Sequence, residues 1–215
     1  MFVLAIDTAT PAVVAGVVSV GPELALVSQQ APIAARGHGE LLAPGIDAAL
    51  HEAGIAPRQV GAVVVGTGPG PYTSLRVGLV TAAAFADALR IPAYGVCSLD
   101  AIGEAGADEP ALLVATDARR REVYVGRYAY GRRDGDVGVD RPDAVDTAGL
   151  SAVAGTELYD WPGLRRRPEQ TPDPLALVRL ARERIESGAP GDPLVPLYLR
   201  RPDAVVPGAP KTVSQ

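Results

Sequence analysis

Cysteine is nearly missing from this chain. Cys97 is the only one, which excludes an internal disulfide and a zinc site built on thiolates. Histidine is almost as scarce. His38 and His51 lie thirteen residues apart, so they do not form the i, i+4 pair that places two metal ligands on one helical face. A serine or cysteine nucleophile would have only these two as its usual base. Lysine occurs once, at Lys211, and 25 acidic residues outnumber 20 basic ones for a net charge of -5. A protein that grips nucleic acid unaided usually carries a basic face. The clusters Arg119-Arg120-Arg121, Arg132-Arg133, Arg165-Arg166-Arg167 and Arg200-Arg201 read foremost as solvated turns, and as RNA contacts only within an assembly. Long charge-free runs are also lacking. The longest candidate, Val77 to Leu89, contains Asp87 and is too short to span a membrane. The apolar start from Met1 to Ile6 has no basic lead or cleavage site, and Asp7 interrupts it. No signal peptide is expected, and the chain is expected to be cytosolic.

What is present is an ordinary globular composition, 47% hydrophobic and 21% charged, with room for a large core of Ala, Val and Leu. Phe2 to Ile6, Val13 to Val20 and Leu24 to Val27 are three strands separated by turn chemistry at Thr8-Ala9-Thr10-Pro11 and Gly21-Pro22, an antiparallel meander. Apolar residues at three- and four-residue spacing predict a helix from His38 to Ala53, with Gly54 closing it. Val60 to Gly66 is a buried strand. The loop Thr67-Gly68-Pro69-Gly70-Pro71 follows, and Thr73 or Ser74 is expected to cap a helix running to about Leu89. Ala93 to Val96 is a strand, and Ser98 is expected to cap a third helix. This order, βββαβαβα, fits a mixed sheet with helices on its faces.

The second half starts the same way, with strands Leu112 to Thr116 and Val123 to Tyr130. Asp7 precedes Val13 by six residues and Gly16 by nine; Asp117 precedes Val123 by six and Gly126 by nine. The spacing predicts an internal repeat of two related lobes, residues 1–100 and 101–215. After Tyr130 the pattern dissolves into Gly, Pro, Asp and Arg, with one clear helix from Pro174 to about Ser187. The second lobe is therefore expected to be reduced, with an extended tail after Arg201.

Candidate chemistry is thin. Asp7 and Thr8 sit at a strand end, where an aspartate can hold hydrated Mg²⁺ and turn hydroxyls can cradle phosphate; taken by themselves they read foremost as the cap of a hairpin. Gly68, Gly70 and Thr73 precede a helix N-terminus and complete a candidate nucleotide or anion loop. It is not a Walker A loop, because no lysine follows the glycines. The same residues also make a stiff connector. The helix after the loop is polar only at Thr81 and Asp87 between Val77 and Leu89. A helix apolar nearly all round has to be covered on both sides, by the sheet on one and by a helix or partner chain on the other. No catalytic residue, metal or cofactor is assigned.

Leu4-Ala5-Ile6-Asp7-Thr8-Ala9-Thr10, His38-Gly39-Glu40-Leu41-Leu42, the block from Gly68-Pro69-Gly70-Pro71 through Gly78, and Pro196-Leu197-Tyr198-Leu199-Arg200 together resemble the bacterial TsaB family, also called YeaZ. The resemblance implies an actin-like ATPase (ASKHA) fold of two ribonuclease-H-like lobes with mixed sheets. It implies a non-catalytic scaffold in the complex that transfers a threonylcarbamoyl group to N6 of the adenosine next to the anticodon. The tRNAs concerned read codons that begin with A. A TsaD-like paralogue carries out the catalysis in such a complex, and a TsaE-like ATPase completes it. The partner would meet helices of the first lobe, at His38, Leu41, Leu42, Ile46, Leu50, Val77, Gly78, Thr81, Ala82 and Phe85. Transfer RNA would be met only through the complex, and a homodimer is an option when the partner is absent. Two departures stand out: Pro71-Tyr72-Thr73-Ser74 where the family usually has Ser-Phe-Thr-Gly, and His38-Gly39-Glu40 for His-Ser-Glu. Pro71 removes an amide and Ser74 removes backbone freedom, both of which weigh against phosphate binding. The rival readings are an autonomous ATP-dependent small-molecule kinase on the same fold, a metallopeptidase and a self-contained homodimeric binding module.

Overall fold

A computed structural model describes residues 1–34 and 37–200. Strands β1 (Phe2–Asp7), β2 (Val14–Val20) and β3 (Leu24–Gln30) form the expected antiparallel meander. Strands β4 (Val60–Gly66) and β5 (Ala93–Val96) add to it in parallel, giving the order β3-β2-β1-β4-β5. The central strands read as unbroken apolar runs because both faces of the sheet are covered. Helices α1 (His38–Glu52) and α2 (Tyr72–Leu89) lie on one face, packing Leu42, Ile46, Leu79 and Ala82 against Leu4, Ile6, Val63 and Val65. Helix α3 (Ser98–Ala105) and the late helix α4 (Pro174–Glu186) lie on the other, where Leu177, Val178 and Ala181 meet Val3, Ala5 and Val64. Although α4 belongs to the second half of the sequence, its apolar face is buried on the first sheet.

The second sheet repeats the path of the first. Strands β6 (Leu112–Arg119), β7 (Glu122–Ala129) and β8 (Arg132–Asp140) form a meander, and β9 (Ala152–Gly155) and β10 (Arg165–Arg166) extend it in parallel from β6. The order is β10-β9-β6-β7-β8. Asp7 opposes Val14 and Asp117 opposes Val123, so the two lobes share their opening hairpin with a register one residue tighter in the second. One face of this sheet packs on α3 through Leu99 and Ile102. The other is closed by loops that bring Trp161 onto Leu113, Ala115, Val123 and Val153. Among the described residues no helix occupies the position that α1 and α2 hold on the first sheet.

Several local readings need correction. β8, β9 and β10 were not foreseen. β8 is a largely exposed strand at the sheet edge whose Arg, Asp and Gly leave no apolar alternation, and β9 has four residues, all buried. Neither Thr73 nor Ser74 caps α2. Pro71 is the capping residue, with φ -61° and ψ 134°, and the helix begins at Tyr72. Proline pre-sets φ but offers no side-chain acceptor. Ser98 lies inside α3, with Cys97 before it, because its hydroxyl is drawn away to Asp7. Gly54 does end α1 as expected, with φ +67° just beyond the cap.

Glycine is required where α2 crosses the start of the meander. A Cβ at Gly78 would overlap Thr8 Oγ1, whose residue is fully buried. Gly78→Ala is expected to lower stability by about 1–3 kcal/mol, the usual cost of forcing a methyl into packed surroundings. At Gly39 an added Cβ would sit 3.9 Å from Val77, an ordinary contact. Gly39→Ala should leave stability unchanged or raise it by up to about 1 kcal/mol through helix propensity. Urea unfolding midpoints of the two variants check the contrast; equal midpoints would remove the packing argument.

Candidate functional site

The Gly-Pro loop, the end of β1 and the start of α3 meet around one carboxylate. Asp7 is fully buried. Its Oδ1 accepts from the Ala9 amide at 2.7 Å, and its Oδ2 accepts from Ser98 Oγ at 2.5 Å. Ser98 Oγ in turn accepts from the Gly68 amide at 3.1 Å, while the Ser98 amide donates to the Gly68 carbonyl at 2.7 Å. Thr8, also fully buried, donates to the Ser74 carbonyl at 2.7 Å and so fastens the first turn of α2 to β1. The glycines permit this closeness. A Cβ at Gly66 would overlap Asp7, and one at Gly70 would lie 2.6 Å from the Ala9 carbonyl oxygen.

Of the candidate anion-loop residues, the fold brings Asp7, Thr8, Gly68 and Gly70 together and leaves Thr73 exposed on the outer side of α2. Their polar atoms are taken up within the chain, Asp7 by Ala9 and Ser98, Thr8 by the Ser74 carbonyl and Gly68 by Ser98, and the glycines are spent on close packing instead of on room for a phosphate. Burial pushes the Asp7 carboxyl up to about 6, against the opposing pull of Ser98, the Ala9 amide and His38. A carboxylate sealed from water and engaged at both oxygens has no free face for a hydrated cation. His38 is buried too, with Nε2 2.9 Å from the Thr10 carbonyl oxygen, holding α1 to the turn after β1. No group of three His, Cys, Asp or Glu with metal-ligand spacing occurs among the described residues.

Most of the arginines are tied down as well. Arg165 pairs with Glu109, Arg166 donates to the Thr156 and Tyr159 carbonyls at 2.7 Å each, and Arg167 bonds Asp108 and Glu169. Arg133 holds Asp100 at 3.1 Å, and Arg200 bonds Glu122 and the Ala118 carbonyl. Arg119, Arg120 and Arg121 make the β6–β7 turn with φ of 65°, 54° and 63°. Arg201 lies outside the described residues.

Of the residues expected at a partner surface, His38, Leu42, Ile46, Leu50, Gly78 and Ala82 are buried within the chain, and Leu41, Val77, Thr81 and Phe85 are half-buried. They hold α1 and α2 to the sheet and to each other. The outward face of the pair consists of other residues. Ala43, Pro44 and Asp47 are exposed on α1; Val80, at 66% exposure, Ala83 and Ala84 are exposed on α2. Helical spacing separates an inward from an outward stripe only when the outward one is polar. In the middle of α2 both stripes are apolar, so sequence could not rank them there, whereas on α1 Glu40, Asp47 and His51 mark the exposed side.

The buried junction sets two expectations. Ser98→Ala leaves the Gly68 amide and one Asp7 oxygen without a partner, a loss of about 1–3 kcal/mol measurable by urea unfolding. Because the folded pKa of Asp7 lies above its unfolded value, its contribution is fully present below about pH 4 and is lost as pH rises through about 6. Relative to Asp7→Asn, the unaltered chain should lose melting temperature across that window. A parallel pH profile for the two would overturn the assignment.

Comparisons with known proteins agree with this architecture. The family model described as TsaD: tRNA N6-adenosine threonylcarbamoyltransferase matches residues 28–154. An uncharacterized Mycobacterium tuberculosis protein is 47% identical over 94% of this chain and 93% of its own length. The tRNA threonylcarbamoyladenosine biosynthesis protein TsaB of Escherichia coli is 31% identical over 76% of this chain and 75% of that protein. The solved structure of YeaZ from Pseudomonas aeruginosa superposes with a TM-score of 0.75 at 26% identity, covering 92% of this chain and 99% of that one. With its duplicated mixed sheet the fold is the two-lobed actin-like one. On these grounds the chain belongs to the TsaB (YeaZ) family.

Proposed function

We propose that this chain takes part in tRNA threonylcarbamoyladenosine biosynthesis as a non-catalytic scaffold, holding a TsaD-like catalytic paralogue through the outward face of α1 and α2. The observation that carries this reading is the apolar, small-residue patch in the middle of α2, with Val80 at 66% exposure between exposed Arg76 and exposed Ala83 and Ala84, next to an α1 that exposes Ala43 and Ala48 along with Glu40 and Asp47. Two helices with alanine-rich outer faces can approach a second pair closely and bury a continuous seam. Family membership supports the pathway, and the match to the TsaD family model supports a partner built on the same helices. The internal commitment of Asp7, Thr8 and Ser98 supports a structural role for the loop in place of phosphate chemistry. A TsaE-like ATPase would complete the assembly, and tRNA would be engaged through the complex. A second copy of this chain could cover the same face when the partner is absent.

The test is threonylcarbamoyl transfer to tRNA by the cognate TsaD-like protein, with the activated intermediate, the TsaE-like ATPase and ATP, with and without this chain. Transfer should require the chain, and the chain alone should be inert. Val80→Asp places an uncompensated charge at the centre of the seam. It should leave the melting temperature within about 2 °C, as surface changes do, while weakening binding to the TsaD-like protein at least ten-fold and abolishing its stimulation. Transfer without the chain would overturn the reading, as would unimpaired binding by the variant. ATP-dependent chemistry by the chain alone would bring the kinase reading forward.

A further inference from the structure

Between the two lobes lies a cavity of about 250 Å³, separate from the α1–α2 face. Pro11, Ala12 and Ile33 line it from the first lobe, Leu158 from the second, and Thr116 and Asp117 from the end of β6. Thr116 is 5% exposed, and its Oγ1 is the buried side-chain polar atom among the described residues that has no hydrogen-bond partner. A hydroxyl stripped of water without a replacement costs about 1–3 kcal/mol, and valine would fill the same shape without that cost. Two other hydroxyls around the cavity have work: Thr10 Oγ1 accepts from the Ala12 amide at 3.3 Å, and Thr156 Oγ1 accepts from the Leu158 amide at 3.2 Å.

Asp117 lines the same cavity and also has capacity to spare. Its Oδ1 accepts from the Arg119 amide at 2.9 Å, but its Oδ2 comes no nearer than 3.8 Å to the Arg119 guanidinium, beyond hydrogen-bond range. Glu157, steadied by Gln170 at 2.6 Å, adds a second carboxylate, and no Arg, Lys or His lines this space. Asp117 and Glu157 outnumber the Arg119 guanidinium beside them, and a net negative charge repels a phosphate and favours a positive guest. The volume falls below the roughly 300–1,000 Å³ of drug-sized pockets, so the guest is small.

We propose that this inter-lobe cleft binds a small organic cation, a primary amine on a compact apolar body. Its ammonium donates to Asp117 and Thr116, and its carbon skeleton lies against Pro11, Ala12, Ile33 and Leu158. The site does not depend on the scaffold reading, because the isolated chain already contains all of it.

The test titrates phenethylamine, its neutral analogue 2-phenylethanol and phenyl phosphate into the full chain and follows backbone amide chemical shifts. Phenethylamine should shift Thr116, Asp117 and Thr156 saturably, and the alcohol and the phosphate should bind at least ten-fold more weakly. Asp117→Asn should weaken the amine ten-fold or more. Thr116→Val should weaken it several-fold while keeping or raising the melting temperature, which separates a binding hydroxyl from a structural one. Absence of saturable shifts with the amine would overturn the proposal. So would equal or tighter binding of phenyl phosphate, or an unchanged amine affinity in both variants, the result expected if a structural water satisfies Thr116.

Discussion

The buried Asp7 carboxylate is the constraint on which the rest of this structure depends. It closes β1 by accepting from Ala9, anchors α3 through Ser98 and, one bond further, holds the Gly68 loop that delivers α2. A carboxyl in such a place is costly to ionise, which is why it titrates near 6. The surrounding glycines follow from it, since Gly66, Gly70 and Gly78 each stand where a methyl would strike β1 or the turn after it. A loop that looks built for phosphate in one dimension is, in three, a clasp between a strand end and two helices.

The two sheets share one path but are covered differently. The first sheet has helices on both faces, whereas the second borrows α3 on one face and uses the Trp161 loops on the other. The chain then straps the lobes together. Asp192 bonds the Gly95 amide, the Leu197 amide donates to the Thr67 carbonyl, and Tyr198 stacks on Tyr72 at 4.9 Å with Arg76 over that ring. Arg200 finally reaches Glu122 and the Ala118 carbonyl on the second sheet.

Much of the arginine charge is spent within the chain. Arg165, Arg166 and Arg167 are bound to carboxylates and carbonyls of their own chain, so a run that reads in sequence as a solvated turn is a structural network beside the buried Glu109. The exposed middle of α2 is by contrast apolar and small-featured at Val80, Ala83 and Ala84. A contact made on such a patch is selected by shape and by the exclusion of water more than by charge.

Periodicity and turn chemistry alone decided the first lobe. The valine-rich runs, the Gly21-Pro22 break and the three- and four-residue spacing in α1 are local signals, and the elements form where they point. The repeated Asp-to-Gly spacing foretold the duplicated hairpin because strand pairing imposes it. Other features were decided only by the tertiary structure. β8 is polar because its place at the sheet edge leaves it in water, so no apolar alternation marks it. Ser98 leaves its capping position because Asp7, 91 residues away in sequence, offers a stronger partner. In the middle of α2 the inward and outward stripes are chemically alike, so only packing tells core from surface there. Thr116 is one threonine among many until folding strips the water from its hydroxyl and supplies nothing in return. Local sequence carries the preferences of neighbouring residues. Which buried polar groups find partners depends on contacts between residues far apart in the chain, and no local pattern contains them.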